Sequence, residues 1–123
     1  MAGALGALAR WAFSGLCLRT FGSAFPFGTL GENLLGCFLL GMLMEVAEQS
    51  SFVSAQARTV LAVGFIGTFT TFSTFEFETF RMVRRGDWLS ATANVAANVV
   101  IGFVLVVIGA GFAAQVLRWR ATR

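Results

Sequence analysis

The sequence predicts an all-α integral membrane protein of four transmembrane helices with a broken third helix. Three observations carry that prediction. Of 123 residues, 57% are hydrophobic and only 12% charged, with a mean hydropathy of +0.78. Average soluble domains carry about 25% charged residues, so there are too few charges here to coat a surface facing water. Four windows, residues 3–21, 28–46, 59–80 and 88–117, suit a crossing that needs about 20 apolar residues for ~30 Å of hydrocarbon. The third window interrupts its apolar run with glycine and hydroxyl residues at membrane depth. Together the windows occupy nearly all of residues 1–123, which read as a single four-helix transmembrane domain.

In the first window Arg10 interrupts the apolar run and no basic start precedes it, so it reads as a span rather than a signal peptide. Cys17 and Cys37 fall inside apolar spans and read as small buried residues, not as a disulfide or metal site. A connection holding the only proline, Pro26, leads into Gly28-Thr29-Leu30-Gly31-Glu32-Asn33-Leu34-Leu35-Gly36. The Asn33 amide can donate to an anion, which a carboxylate repels; an inter-helix hydrogen bond is the plainer use of such a residue. Residues 47–58 form a polar connection.

The third window contains Gly64-Phe65-Ile66-Gly67-Thr68-Phe69-Thr70-Thr71-Phe72-Ser73-Thr74-Phe75, with two glycines and five hydroxyls in twelve positions. Glycine loosens a helix, and hydroxyls re-satisfy backbone groups freed at depth. A break near Gly67–Thr71 follows; the competing use is close helix packing through small residues. Phe72 and Phe75, three apart, share a helix face that Phe69 would extend. Their ring edges are electropositive and can contact an anion. Residues 81–87 form a basic turn. In the fourth window Asn94, Asn98 and Gly102 share a face, and Trp88 and Trp119 bracket it as an aromatic belt.

The net charge is +3 and all nine basic residues are arginine, spread over helix ends as interface anchors rather than as a nucleic-acid footprint. Arg58, Arg118, Arg120 and Arg123 fall on one side of the membrane and Arg19, Arg81, Arg84 and Arg85 on the other, four against four. Basic-loop bias therefore selects no orientation. Either Arg10 decides it, or the chain inserts both ways and opposite copies pair. Histidine, lysine and tyrosine are absent and the only aspartate, Asp87, lies in a loop. The commonest general base and the Schiff-base and phosphate-binding lysines are thus missing. Glu76 and Glu78, two apart, point to different faces. An enzyme is not expected.

Three motifs carry a family resemblance: Gly6-Ala7-x-x-Arg10-Trp11, Gly28-Thr29-Leu30-x-x-Asn33-x-x-Gly36, and Gly64-Phe65-x-Gly67-x-x-Thr70-Thr71-Phe72-Ser73-Thr74-Phe75. On these the chain closely resembles the Fluc (CrcB) family of small fluoride channels over nearly its whole length. The resemblance implies an antiparallel, dual-topology homodimer in the cell (inner or plasma) membrane, with two pores exporting fluoride passively. It also implies a structural sodium ion at the dimer centre, held by the backbone carbonyls of Gly67 and Thr70. Phe72 and Phe75 match pore-lining phenylalanines and Asn33 the pore asparagine. Thr29, Thr71 and Ser73 match hydroxyls in or near the ion path, and Arg10 matches a vestibule anchor. Glu78 agrees with a frequent family glutamate. Asn94 and Asn98 stand where tyrosine and serine are common. Glu32, Thr68 and Glu76 depart from the usual apolar residue, glycine and serine. A small multidrug transporter shares the size but depends on a glutamate in its first helix, and residues 1–31 contain no acidic residue. A non-transporting assembly subunit is the remaining alternative.

Overall fold

The computed structural model describes residues 1–50 and 52–123; position 51, within the predicted polar connection 47–58, lies outside the described residues. Every element among the described residues is helical. Helix α1 runs Ala2–Phe21 and stops at Gly22, whose φ of 75° an L side chain rarely adopts and whose amide closes on Leu18 O at 3.0 Å. Helix α2, Phe27–Gln49, starts just after Pro26, where a missing N–H and a preset φ cost nothing. It ends as Ser50 turns extended and returns its hydroxyl to Val46 O at 2.7 Å.

The next helical stretch, Ala55–Arg84, starts at Ser54, whose Oγ accepts from the Ala57 amide at 3.2 Å. It comprises α3 (Ala55–Thr59), a π-helical segment (Val60–Ile66), α4 (Gly67–Phe69) and α5 (Phe72–Arg84). Thr70 (φ −79°, ψ 158°) and Thr71 (φ −149°, ψ 113°) between α4 and α5 are extended. The predicted polar connection is thereby shortened from both ends, because α2 continues to Gln49 and Ser54 caps a new helix well before residue 59. Gly86, at φ 77°, makes the turn into α6 (Trp88–Ala96), which Asp87 caps by accepting from the Ser90 amide at 3.1 Å. A second π-helical segment (Ala97–Ile101) then leads into α7 (Gly102–Ala121).

Three stretches, Phe27–Gln49, Ala55–Arg84 and Trp88–Ala121, are long and apolar enough to cross a membrane. Helix α1 has 20 residues but carries Arg10 and Arg19 and is not among them. The most extensive packing joins α2 to α7. Gly41 lies against the Val106 carbonyl and Gly109 against the Phe38 carbonyl, so the two backbones approach as closely as missing side chains allow. Gly6 of α1 rests on the Phe65 carbonyl and the Thr68 hydroxyl in the same way, and that hydroxyl also donates to Gly3 O at 3.0 Å. Large apolar side chains populate the outside, while the two largest fully buried side chains are Glu32 and Asn94. This inversion is what lipid as solvent demands: polar groups turn inward, toward one another.

Candidate functional site

Asn33 on α2 reaches the point where the third stretch loses its helical ladder. In an unbroken helix the Thr71 amide bonds the Gly67 carbonyl. Here it donates instead to Asn33 Oδ1 at 2.8 Å, while Asn33 Nδ2 donates to Thr71 O at 3.2 Å. One side-chain amide thus satisfies both sides of an extended residue, as a neighbouring strand would. The Thr70 amide still bonds Ile66 O at 3.0 Å, so the interruption starts after it rather than at Gly67, whose φ −64° and ψ −24° are helical. Two consequences follow for the carbonyls. That of Gly67 loses its usual amide partner, and that of Thr70, at ψ 158°, leaves the helical direction. Helix α2 comes this close because Gly36, three residues beyond Asn33, leaves room for Thr70 Cγ2.

From Asn33 a chain of side-chain amides and hydroxyls continues onto the last helical stretch. Asn33 Nδ2 donates to Asn98 Oδ1 at 2.8 Å, and Asn98 Nδ2 donates to Asn94 Oδ1 at 3.1 Å and Asn94 O at 2.9 Å. Asn94 Nδ2 donates to Thr79 Oγ1 at 2.9 Å, and Thr79 donates to Phe75 O at 2.9 Å. These hydrogen bonds satisfy polar side chains that lie inside apolar stretches. Beside it lies an open cleft of ≈ 300 Å³ onto which Asn33, Asn98, Gly67, Thr70, Phe72 and Phe75 all face. The Phe72 and Phe75 rings meet edge to face at 5.6 Å, Phe75 being 3% and Phe72 74% exposed. Phe69 does not extend their row. The extended residues at 70 and 71 turn α5 relative to α4, and Phe69 packs instead on Phe65 and on Phe13 of α1.

A second polar group sits nearer the turn end of α5. Buried Thr29 donates to Glu78 Oε1 at 3.0 Å, leaving Glu78 Oε2 buried without a partner. Ser14 of α1 donates to Glu32 Oε1 at 2.5 Å. Ser14, Thr29, Glu78, Arg81 and Arg85 are among the residues around an open cleft of ≈ 310 Å³. The expected site residues therefore divide. Asn33, Asn98, Gly67, Thr70, Phe72 and Phe75 share one cleft, Thr29 and Glu78 the other, and Asn94 links toward Thr79 beneath α5. The Thr71 hydroxyl caps α5, donating to Thr74 Oγ1 at 2.9 Å and accepting the Thr74 amide at 3.4 Å, so it acts locally. Ser73 and Glu76 are exposed, and Arg10 is half-buried on α1 in neither cleft.

Sequence reasoning passed over Ser14 and Thr79 and treated Glu32 only as a departure. All three are polar residues inside apolar windows, which is the signal that picks them out. Among the described residues no group of His, Cys, Asp and Glu is arranged to hold a metal.

Residues 1–110 match the family described as CrcB-like protein, Camphor Resistance (CrcB). Among curated relatives, the fluoride-specific ion channel FluC of Dehalococcoides mccartyi is 44% identical over 108 residues, 88% of this chain and 83% of that protein. The protein of the same name from Geotalea uraniireducens is 46% identical over 107 residues, 87% of this chain and 86% of its own length. That of Geobacter sp. (strain M21) is 48% identical over 98 residues, 80% and 79% of the two chains.

Proposed function

This chain belongs to the CrcB-like family, and from that premise we propose that it is a fluoride channel exporting fluoride passively across the cell membrane. The relatives are ion channels by name, and the chain is not an enzyme. The observation that carries the reading is the amide series from Thr71 through Asn33 and Asn98 to Asn94, beside the two phenylalanine rings. It puts side-chain amides and both phenylalanine rings around one cleft at the interruption. A small, strongly hydrated anion needs several such donors in place of its water.

Fluoride enters the cleft beside Thr29, whose lining also includes Arg81 and Arg85. It then exchanges water for amide hydrogens and passes the edges of Phe72 and Phe75. The Asn33 Nδ2 group serves it by releasing Asn98 Oδ1 for the duration of the contact. In this proposal all four long helical regions span the membrane, α1 included with Arg10 as a vestibule anchor. Two copies inserted in opposite orientations form an antiparallel dimer with two pores, a pairing the balanced arginines permit. A sodium ion at the dimer centre would be held by the Gly67 and Thr70 carbonyls, and the freeing of both from helical bonding supports that assignment. Its positive charge would offset part of the desolvation of the nearby anion.

The test is efflux from proteoliposomes read with a fluoride electrode. Fluoride leaves rapidly, and chloride, read with its own electrode, does not follow. Absence of fluoride efflux from a folded, monodisperse oligomer overturns the proposal.

A further inference from the structure

Next to the cleft of Thr29 and Glu78, with which it shares Arg81 and Arg85, the end of α5 holds an open groove of ≈ 380 Å³ lined, among the described residues, by Phe77, Phe80, Arg81, Arg84 and Arg85. Residues four apart on a helix stack along one face, so Arg81 follows Phe77 and Arg84 follows Phe80, each about 6 Å further along the axis. Because α5 runs from the interruption at Thr71 toward the turn at Gly86, the rings lie toward the middle of the span and the guanidiniums toward its end. Phe77 and Phe80 are 59% and 52% exposed, and Trp88 and Leu89 just beyond the turn are 65% and 84% exposed. The Arg84 guanidinium stands 5.9 Å from the centre of the Phe80 ring. One oxygen of the nearby Asp87 carboxylate accepts the Ser90 amide as the cap of α6.

The plain use of such arginines is to complement the carbonyl end of α5. That use needs neither an aromatic floor nor three cations. A groove whose inner half is phenylalanine and whose outer half is guanidinium matches an amphiphile with an apolar body and an anionic head. Guanidinium forks pair with phosphate oxygens in two parallel bonds, and basic residues just outside a span attract anionic lipid.

We propose that this groove binds an anionic phospholipid, with the phosphate held by Arg81, Arg84 and Arg85 and the upper chain carbons on Phe77 and Phe80. The proposal rests on the membrane location of the chain and not on the ion it conducts. Efflux and lipid retention are separate measurements, so either reading can fail alone.

The experiment counts lipid retained by the purified protein in neutral detergent, using native mass spectrometry with phosphatidylglycerol or phosphatidylcholine added. Wild type is expected to prefer phosphatidylglycerol about tenfold or more, as clustered basic residues at a membrane surface do. Arg84→Gln weakens the preference several-fold, Arg84→Lys less so, and the Arg84→Gln/Arg85→Gln pair removes it. Arg118→Gln/Arg120→Gln, at the other arginine group, leaves it intact. Helical circular dichroism and melting in phosphatidylcholine report folding, and the single Arg84→Gln variant decides the matter if the pair does not fold. Equal retention of the two lipids by wild type overturns the proposal. So does a folded Arg84→Gln protein with undiminished preference. Displacement of phosphatidylglycerol by inorganic phosphate alone also overturns it, since that marks a free-anion site rather than a lipid site.

Discussion

Replacing Asn33 by alanine removes, in one change, the acceptor for the Thr71 amide and the donor to Thr71 O and Asn98 Oδ1. At the membrane average of about 0.6 kcal/mol per side-chain hydrogen bond, three such contacts amount to roughly 2 kcal/mol. The stranded Thr71 amide adds an unsatisfied-donor cost of about 1–3 kcal/mol, part of which the first figure already contains. The expected loss is therefore roughly 2–4 kcal/mol. Asn33→Asp separates the structural from the conducting role. Its carboxylate keeps an acceptor for the Thr71 amide but presents a charge and no N–H to the cleft. Unfolding by a denaturing detergent, followed by circular dichroism, reads the stability, and the fluoride electrode reads the flux. The alanine variant should lose both, and the aspartate variant should lose flux while retaining more of the stability. An alanine variant within about 0.5 kcal/mol of wild type, the range of an inconsequential surface change, and with unaltered flux, refutes the assignment of Asn33 as partner to the interruption.

Gly109→Ala puts a Cβ onto the Phe38 carbonyl, an overpacking expected to cost about 1–3 kcal/mol or more, whereas a Cβ at Gly111→Ala meets nothing within 4 Å; Gly109→Ala should show the lower yield and melting temperature of the two. Replacing sodium by N-methylglucamine in all buffers should lower both melting temperature and fluoride flux, and unchanged values for both would remove the central cation from the proposal. Hydrogen bonds from Ser90 hold the Asp87 carboxyl below its ordinary value of 3.8. Because the folded value is the lower one, the stabilisation is present above about pH 4 and disappears as pH falls through that depressed value. Melting temperature should therefore fall more steeply with acid in wild type than in Asp87→Asn, and parallel acid profiles count against the cap.

Some of the site could be read in the sequence because it depends on local chemistry. An asparagine, or a run of glycine and hydroxyl residues, inside an apolar window stands out wherever its neighbours lie. Asn33, Asn98, Gly67 and Thr70 were selected that way, Phe72 and Phe75 by their three-residue spacing, and all six face one cleft. The position of the interruption was not legible to the residue. It depends on an amide acceptor 38 positions away in the chain, which captures Thr71 and releases the Gly67 carbonyl. For the same reason the phenylalanine row was misjudged at Phe69, since helical spacing holds only while the helix continues. The role of Glu32 was hidden too, because its partner, Ser14, belongs to another helix.

By itself the sequence determined that helices bury themselves in lipid, since too few charges and long apolar runs leave the chain no other solvent. It also determined which residues are polar at depth and therefore need partners. Only the tertiary structure decided who those partners are. Asn33 could have bonded any nearby helix; Gly36 beside it let Thr70 come close and made Thr71 the residue satisfied. Composition and period are properties of a segment, whereas a hydrogen bond in hydrocarbon is chosen by whichever two segments the packing brings together.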